Sequence, residues 1–232
     1  VAAARRAAAF VQRSAFLVKA PILATAPAIL LLALGGCANR SGEIDSSGGI
    51  TAIRSACPAV AIPAATGDVT LFDPVGDTSA AALDVTATMT NVRSTCSDAG
   101  EQVVTSITFD VLARRTRTEG ARDLTLPFFT TVVRGGSAVV AKRVGQVQLH
   151  FDAGQGRAQA SGQGSAQITR AAATLPKEVR DRLTRRRKAG EEDAATDPLT
   201  APDIRQAVQR ATFEALVGFQ LTDVQLRYNA TR

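Results

Sequence analysis

Three cysteines and one histidine carry most of the side-chain chemistry open to this chain. A thiol can be acylated, oxidised to a disulfide or made a metal ligand. Metal ligands come in close, regular spacings. Cys37, Cys57 and Cys96 lie 20 and 39 residues apart and His150 stands alone, so no ligand set is present and no metal or other cofactor is expected. A nucleophile needs a base within reach. His150 falls in an alternating segment beside Gln148 and Phe151, and no serine in a Gly-x-Ser-x-Gly elbow accompanies it. It is read as a structural or surface histidine. Asp110, Glu119 and Asp123 would offer a carboxylate pair for sugar chemistry if folding brought two of them together. Gly154-Gln155-Gly156 and Gly162-Gln163-Gly164 lack the strand-then-helix setting that a phosphate-binding loop requires. No catalytic residue is assigned, and the chain is not expected to be an enzyme.

Cys37 points to different chemistry. Residues 1–36 carry Arg5, Arg6, Arg13 and Lys19 and no acidic residue. Pro21 to Leu34 is almost wholly apolar, and Leu34-Gly35-Gly36-Cys37 closes it. A basic start, a short apolar run and small residues at its end form an export signal. The run is too short for a membrane span, which needs about 20 apolar residues. Its last four residues resemble a bacterial lipobox. Cleavage before Cys37, with Leu34, Gly35 and Gly36 forming the signal peptidase site, and lipidation of the Cys37 sulfur are expected. Two or more acyl chains on one residue make attachment stable where a single chain is marginal. Residue 38 is Ala rather than Asp, which by the same resemblance favours the periplasmic face of the outer membrane over the inner membrane.

Removing residues 1–36 changes the charge balance. The whole chain has 27 basic and 21 acidic residues and a formal charge of +6; without the leader 23 basic residues remain and the charge falls near +2. A nucleic-acid partner is not expected. Lipidating Cys37 leaves Cys57 and Cys96 as one even pair in an oxidising compartment, where a disulfide is expected, with two buried thiols as the alternative.

The remainder reads as one domain over 57–232 behind a polar, Gly- and Ser-rich tether at 37–56. Pro58–Ile62 and Val69–Phe72 read as short strands. Leu83, Val85, Ala87 and Met89 alternate with polar residues, as do Ile107, Phe109, Val111 and Ala113 after the turn residues Ser97-Asp98-Ala99-Gly100. Arg114–Asp123 reads as a polar loop. Leu124–Val133 and Val139–Phe151 flank a Gly135-Gly136 hairpin turn, with Pro127 marking an edge position or bulge and Gly145 a bulge. Residues 157–168 alternate Ala and Gly with polar side chains, giving one small-residue face for close approach. Phe213 to Leu221 is the cleanest alternation and is expected to be a central strand. Thr222 and Gln225 form a capping-box pattern for a closing helical turn. Asn39-Arg40-Ser41 and Asn229-Ala230-Thr231 match glycosylation sequons by chance.

A charged helical insertion is expected at about 176–210. Pro176–Lys188 carries Glu178–Arg182 and Asp181–Arg185 at ion-pair spacing. Pro202–Arg210 turns Ile204, Ala207 and Val208 inward. Arg185, Arg186, Arg187 and Lys188 form the densest basic patch, read as a solvated helix end or a contact for an anionic surface. The fold class is mainly β: a two-layer antiparallel sandwich with one or two short helices near the C-terminus. An immunoglobulin-like arrangement is one form of it, and a small barrel is the alternative.

Leu34-Gly35-Gly36-Cys37, Cys57-Pro58-Ala59-Val60, Cys96, Pro127-Phe128-Phe129 and Gly218-Phe219-Gln220-Leu221-Thr222 through Leu226-Arg227-Tyr228-Asn229 together resemble alphaproteobacterial, sphingomonad-type envelope lipoproteins of unknown function. The resemblance implies an envelope location and the extent of the domain, and brings no catalytic residues. The expected partners are the lipid bilayer, through acylated Cys37, and an envelope protein. The expected role is a structural or protein-interaction module; a ligand-binding or hydrolytic protein acting on lipid or glycan is the alternative.

Overall fold

The computed structural model describes residues 55–185, 190–191 and 195–231. Cys37 and the leader, nearly all of the expected tether, and Arg186 to Lys188 lie outside them. Among the described residues, in chain order, the strands are β1 (Ala59–Ala61), β2 (Asp68–Phe72), β3 (Leu83–Ser97), β4 (Gln102–Arg115), β5 (Arg122–Arg134), β6 (Ala138–Phe151), β7 (Arg157–Thr169) and β8 (Phe213–Phe219). They form two four-stranded sheets, ordered β1-β8-β5-β6 and β2-β3-β4-β7. Every pairing is antiparallel except β1 with β8. The protein is a β-sandwich. The second sheet begins with a β2-β3-β4 meander, so the order is not the ABED/CFG arrangement of immunoglobulin domains.

The period-two patterns decide what lies inside. Ile107, Phe109, Val111 and Ala113 on β4 are all buried, and Leu126, Phe128, Val147, Leu149, Phe151, Val217 and Phe219 face them from the other sheet. Phe109 and Phe128 meet edge to face across the layers, with ring centroids 4.9 Å apart. The small face of β7 makes this possible. A Cβ on Gly162 would sit 2.3 Å from the Phe109 ring and 2.9 Å from Val147. β8 is a central strand between β1 and β5, as its clean alternation predicts, although it ends at Phe219 and leaves Leu221 in the following loop.

Several local expectations are corrected. Pro127 lies on a central strand, not an edge. The ladder tolerates it because the β8 pairing starts one residue later, at Phe128, where β8 itself ends. Only the Pro127 carbonyl is used on that side, accepting from Gln220 N at 2.9 Å. Gly145 is not a bulge. It pairs in register with Phe128, whose ring would be 2.5 Å from an added Cβ. The bulge on β6 is at Val140, where Val132 pairs with Ala141 and Val133 with Val139.

Four helices fill the C-terminal part of the described chain: α1 (Arg170–Ala173), α2 (Lys177–Thr184), α3 (Pro202–Arg210) and α4 (Asp223–Thr231). α2 stops at Thr184, and its ion pairs are not those the spacing suggested. Asp181 pairs with Lys177, Arg182 with Asp203, and Arg185 with Glu191. Arg182 and Arg185 find partners on neighbouring segments, whereas Asp181 pairs one helical turn back along α2, with Lys177. α3 buries Ile204 and Ala207, with Val208 half-buried. α4 opens with the expected capping box: Gln225 Oε1 accepts from Thr222 N at 2.9 Å, and Gln225 N donates to Thr222 Oγ1 at 3.3 Å. It packs on β2 through Tyr228 against Phe72. Asn229 Nδ2 donates to Ala65 O and Asp68 O, so the sequon side chain is engaged in the fold. Among the described residues no helix is long and apolar enough to cross a membrane.

Candidate functional site

Cys57 and Cys96 are joined in a disulfide, with Cα atoms 6.1 Å apart. Cys57 stands just before β1 of the first sheet and Cys96 near the end of β3 in the second. The bridge ties the two layers where the chain enters the sandwich. Closing a loop of 39 residues stabilises the fold by about 4 kcal/mol in the chain-entropy treatment.

His150 sits on the outer face of β6, 57% exposed. Its Nδ1 is 2.6 Å from Asp123 Oδ1 and its Nε2 is 3.4 Å from Asp152 Oδ1. The hydrogen bond to Asp123, then its charge, raises the imidazole pKa above its ordinary value. This is a surface ion pair, with no hydroxyl or thiol nucleophile among the bonded partners. Of the carboxylates considered for sugar chemistry, Asp110 and Asp123 do not converge, and Glu119 stands in the loop between β4 and β5. Asp123 is on the outer face of the first sheet. Asp110 is on the outer face of the second, where Asn91 Nδ2 and Ser161 Oγ donate to it at 2.7 and 2.8 Å. The Asn91 bond, followed by that from Ser161, holds the Asp110 carboxyl below the usual range. Among the described residues no three His, Cys, Asp or Glu side chains gather as a metal site.

The most developed polar cluster lies at the opposite end of the sandwich from the disulfide, inside the segment read as a polar loop. Arg115 is 6% exposed. Its Nε donates to Gln155 O, and its Nη2 to Thr118 O, Gly120 O and Asp152 O, at 2.8 to 3.2 Å. Its guanidinium lies 5.1 Å from the centre of the Phe151 ring. Beside it Arg122 makes a two-pronged pair with buried Asp84, both bonds 2.8 Å. That pair keeps the Asp84 carboxyl below its ordinary pKa against the opposing effect of burial. Arg117 bridges Asp73 and Asp84. These groups satisfy one another and lock the loops at 116–121 and 152–156 in place. Their chemistry is structural. The one sequence signal for Arg115 is register: it continues the inward positions of Ile107, Phe109, Val111 and Ala113.

Open clefts interrupt the surface among the described residues. One of about 480 Å³ separates β1 from β3, with Val60, Ile62 and Met89 inside and Asn91 and Arg93 at its rim. One of about 330 Å³ opens between β6 and β7. One of about 710 Å³ lies where Glu101 and Arg170 face Leu175 and Pro176. Of the basic patch, Arg185 is described, 3.7 Å from Glu191. The lipidation residue Cys37 and the cleavage residues Leu34, Gly35 and Gly36 lie outside the described residues.

β6 is the outer strand of its sheet, and Ala138 to Val144 are all exposed, including Val139 (63%), Val140 (51%) and Val144 (60%). The run Ala138-Val139-Val140-Ala141 shows no alternation, and a continuous apolar run of this kind reads from sequence as a buried strand rather than an exposed one. No protein-family model, no curated protein and no solved structure matches this chain.

Proposed function

We propose that this protein is a bacterial envelope lipoprotein. In this reading it is anchored through acylated Cys37 on the periplasmic face of the outer membrane, and its β-sandwich serves as a structural or protein-interaction module rather than an enzyme. The observation that carries the reading is Leu34-Gly35-Gly36-Cys37 at the end of a basic-then-apolar leader. The Cys57–Cys96 bridge supports it, because disulfides persist in the exported compartments that such a leader addresses. The accessory role is favoured by polar clusters that close on themselves: Arg115 is spent on carbonyls, Asp84 on Arg122, and His150 on surface carboxylates.

The test is metabolic labelling with palmitate. Wild-type protein takes up label, and Cys37→Ser abolishes it and leaves an uncleaved or released chain. Equal labelling of the two would refute the anchor.

A further inference from the structure

We infer that the uncovered half of β6 is a membrane-docking edge: Val139, Val140 and Val144 enter the headgroup layer of the bilayer, and Lys142 and Arg143 meet the phosphates of anionic lipids. The inference rests on the anchored reading above, and three observations carry it.

The first is placement. Ala59 pairs with Glu214, Glu214 with Val133, and Val133 with Val139, so these four residues form one row across the sheet. Three strand spacings amount to about 14 Å. The exposed tip of β6 therefore lies at the end of the sandwich where the chain enters, two residues after Cys57. Only 20 residues separate Cys57 from Cys37, which is at most about 70 Å of fully extended chain. A chain held at Cys37 keeps this end of the domain within reach of the bilayer.

The second is composition. Residues 138–144 combine three exposed valines with two basic side chains and no acidic one. Apolar groups flanked by Lys and Arg are what an anionic lipid surface recognises. Lys142 lies 5.2 Å from the Phe129 ring centre, which holds its stem along the outer face of the sheet.

The third is what the charges exclude. A second copy could add its own β6 to this edge, antiparallel, as unprotected edges often do. A pairing centred on Lys142 and Arg143 sets the two basic pairs opposite each other, and like charges across a ladder are destabilising. A polyanionic surface removes that conflict. The contact is shallow, because the free N–H and C=O groups of an outer strand cannot enter hydrocarbon unpaired, whereas the headgroup layer supplies water and acceptors.

Hydrogen exchange tests this on the lipid-carrying protein isolated from membranes. The protein is placed in phosphatidylethanolamine vesicles with phosphatidylglycerol and, in parallel, in phosphatidylcholine vesicles. The peptide covering 138–144 should exchange more slowly only with phosphatidylglycerol. Lys142→Glu with Arg143→Glu should abolish that slowing, since two basic contacts to an anionic surface are together equivalent to roughly 25-fold in binding. Val139→Ser with Val140→Ser should weaken it with the charge intact. Unchanged exchange of β4 and β8 in both variants shows that the fold is kept. Equal exchange in the two kinds of vesicle would overturn the inference. So would protection that grows with protein concentration in detergent, which would signal a second copy, or protection seen only with added envelope protein, which would signal an acidic partner strand. The mass of the Cys37 peptide from the same sample scores the anchor separately. Were no lipid found there, the same vesicles added to the unanchored protein would still score the edge.

Discussion

The two halves of β6 share one strand, one hairpin partner and one ladder, yet they have opposite fates. Gly145 to Phe151 lies over the second sheet, and Val147, Leu149 and Phe151 are each 2% exposed or less. Ala138 to Val144 extends past that cover, and all seven residues are exposed. The two halves also differ in period, although period alone does not say which of them is uncovered. Val147-Gln148-Leu149-His150-Phe151 alternates, as a strand covered on one face must. Val139-Val140-Ala141 does not, because neither face there answers to a core. Apolar residues in the covered half build the sandwich. In the uncovered half they form an exposed apolar edge, and contiguous exposed apolar residues mark contact surfaces.

The largest effect should come from the covered half. Phe151→Ala removes a fully buried ring that also carries the Arg115 guanidinium, and should cost about 3–5 kcal/mol in denaturant unfolding. Val144→Ala, on the uncovered half, should stay within about 0.5 kcal/mol of wild type. A Val144→Ala cost comparable with that of Phe151→Ala would show that the tip is packed after all. Gly162→Ala is next. The added methyl meets the Phe109 ring, itself buried against Phe128, so overpacking should destabilise by about 1–3 kcal/mol. A neutral result would mean that the layers can part, which would weaken the case that cover alone divides β6.

The smallest effect is a pH dependence on the outer face of the covered half. The folded-state pKa of His150 is raised, mainly by its hydrogen bond to Asp123. Its contribution is fully present below the unfolded value of about 6.5 and is lost as pH rises through the higher folded value. The melting temperature of the wild type should therefore fall slightly across that window relative to His150→Gln. Parallel profiles for the two would contradict the ion pair.

The sandwich itself was legible because its core strands obey one rule, inward apolar residues at every second position, and β8 keeps it throughout, as β4 does from Ile107 to Ala113. Legibility failed where a residue's usual meaning was overridden by its neighbours. Arg115 keeps the inward register, but its charge made it look like the start of a loop, and only the carbonyls of Thr118, Gly120, Asp152 and Gln155 make its burial affordable. Asp84 alternates as an outward residue and is buried by Arg122, which arrives from the far side of the same loop. Pro127 looks like an edge because its missing N–H is costly inside a sheet; here β8 ends just where that N–H would have been needed. Arg182 and Arg185 pair across segments rather than along the helix, and Asp181 pairs along it with Lys177 rather than with Arg185. The exposed tip of β6 was invisible because no local pattern announces where the opposite sheet stops.

The central claim is the anchor, and the most direct measurement is the intact mass of the amino-terminal peptide from protein extracted from membranes. The account predicts that this peptide begins at Cys37 and carries the mass of a diacylglyceryl group and an amide-linked acyl chain. A peptide that retains Leu34-Gly35-Gly36, or an unmodified Cys37, would contradict it.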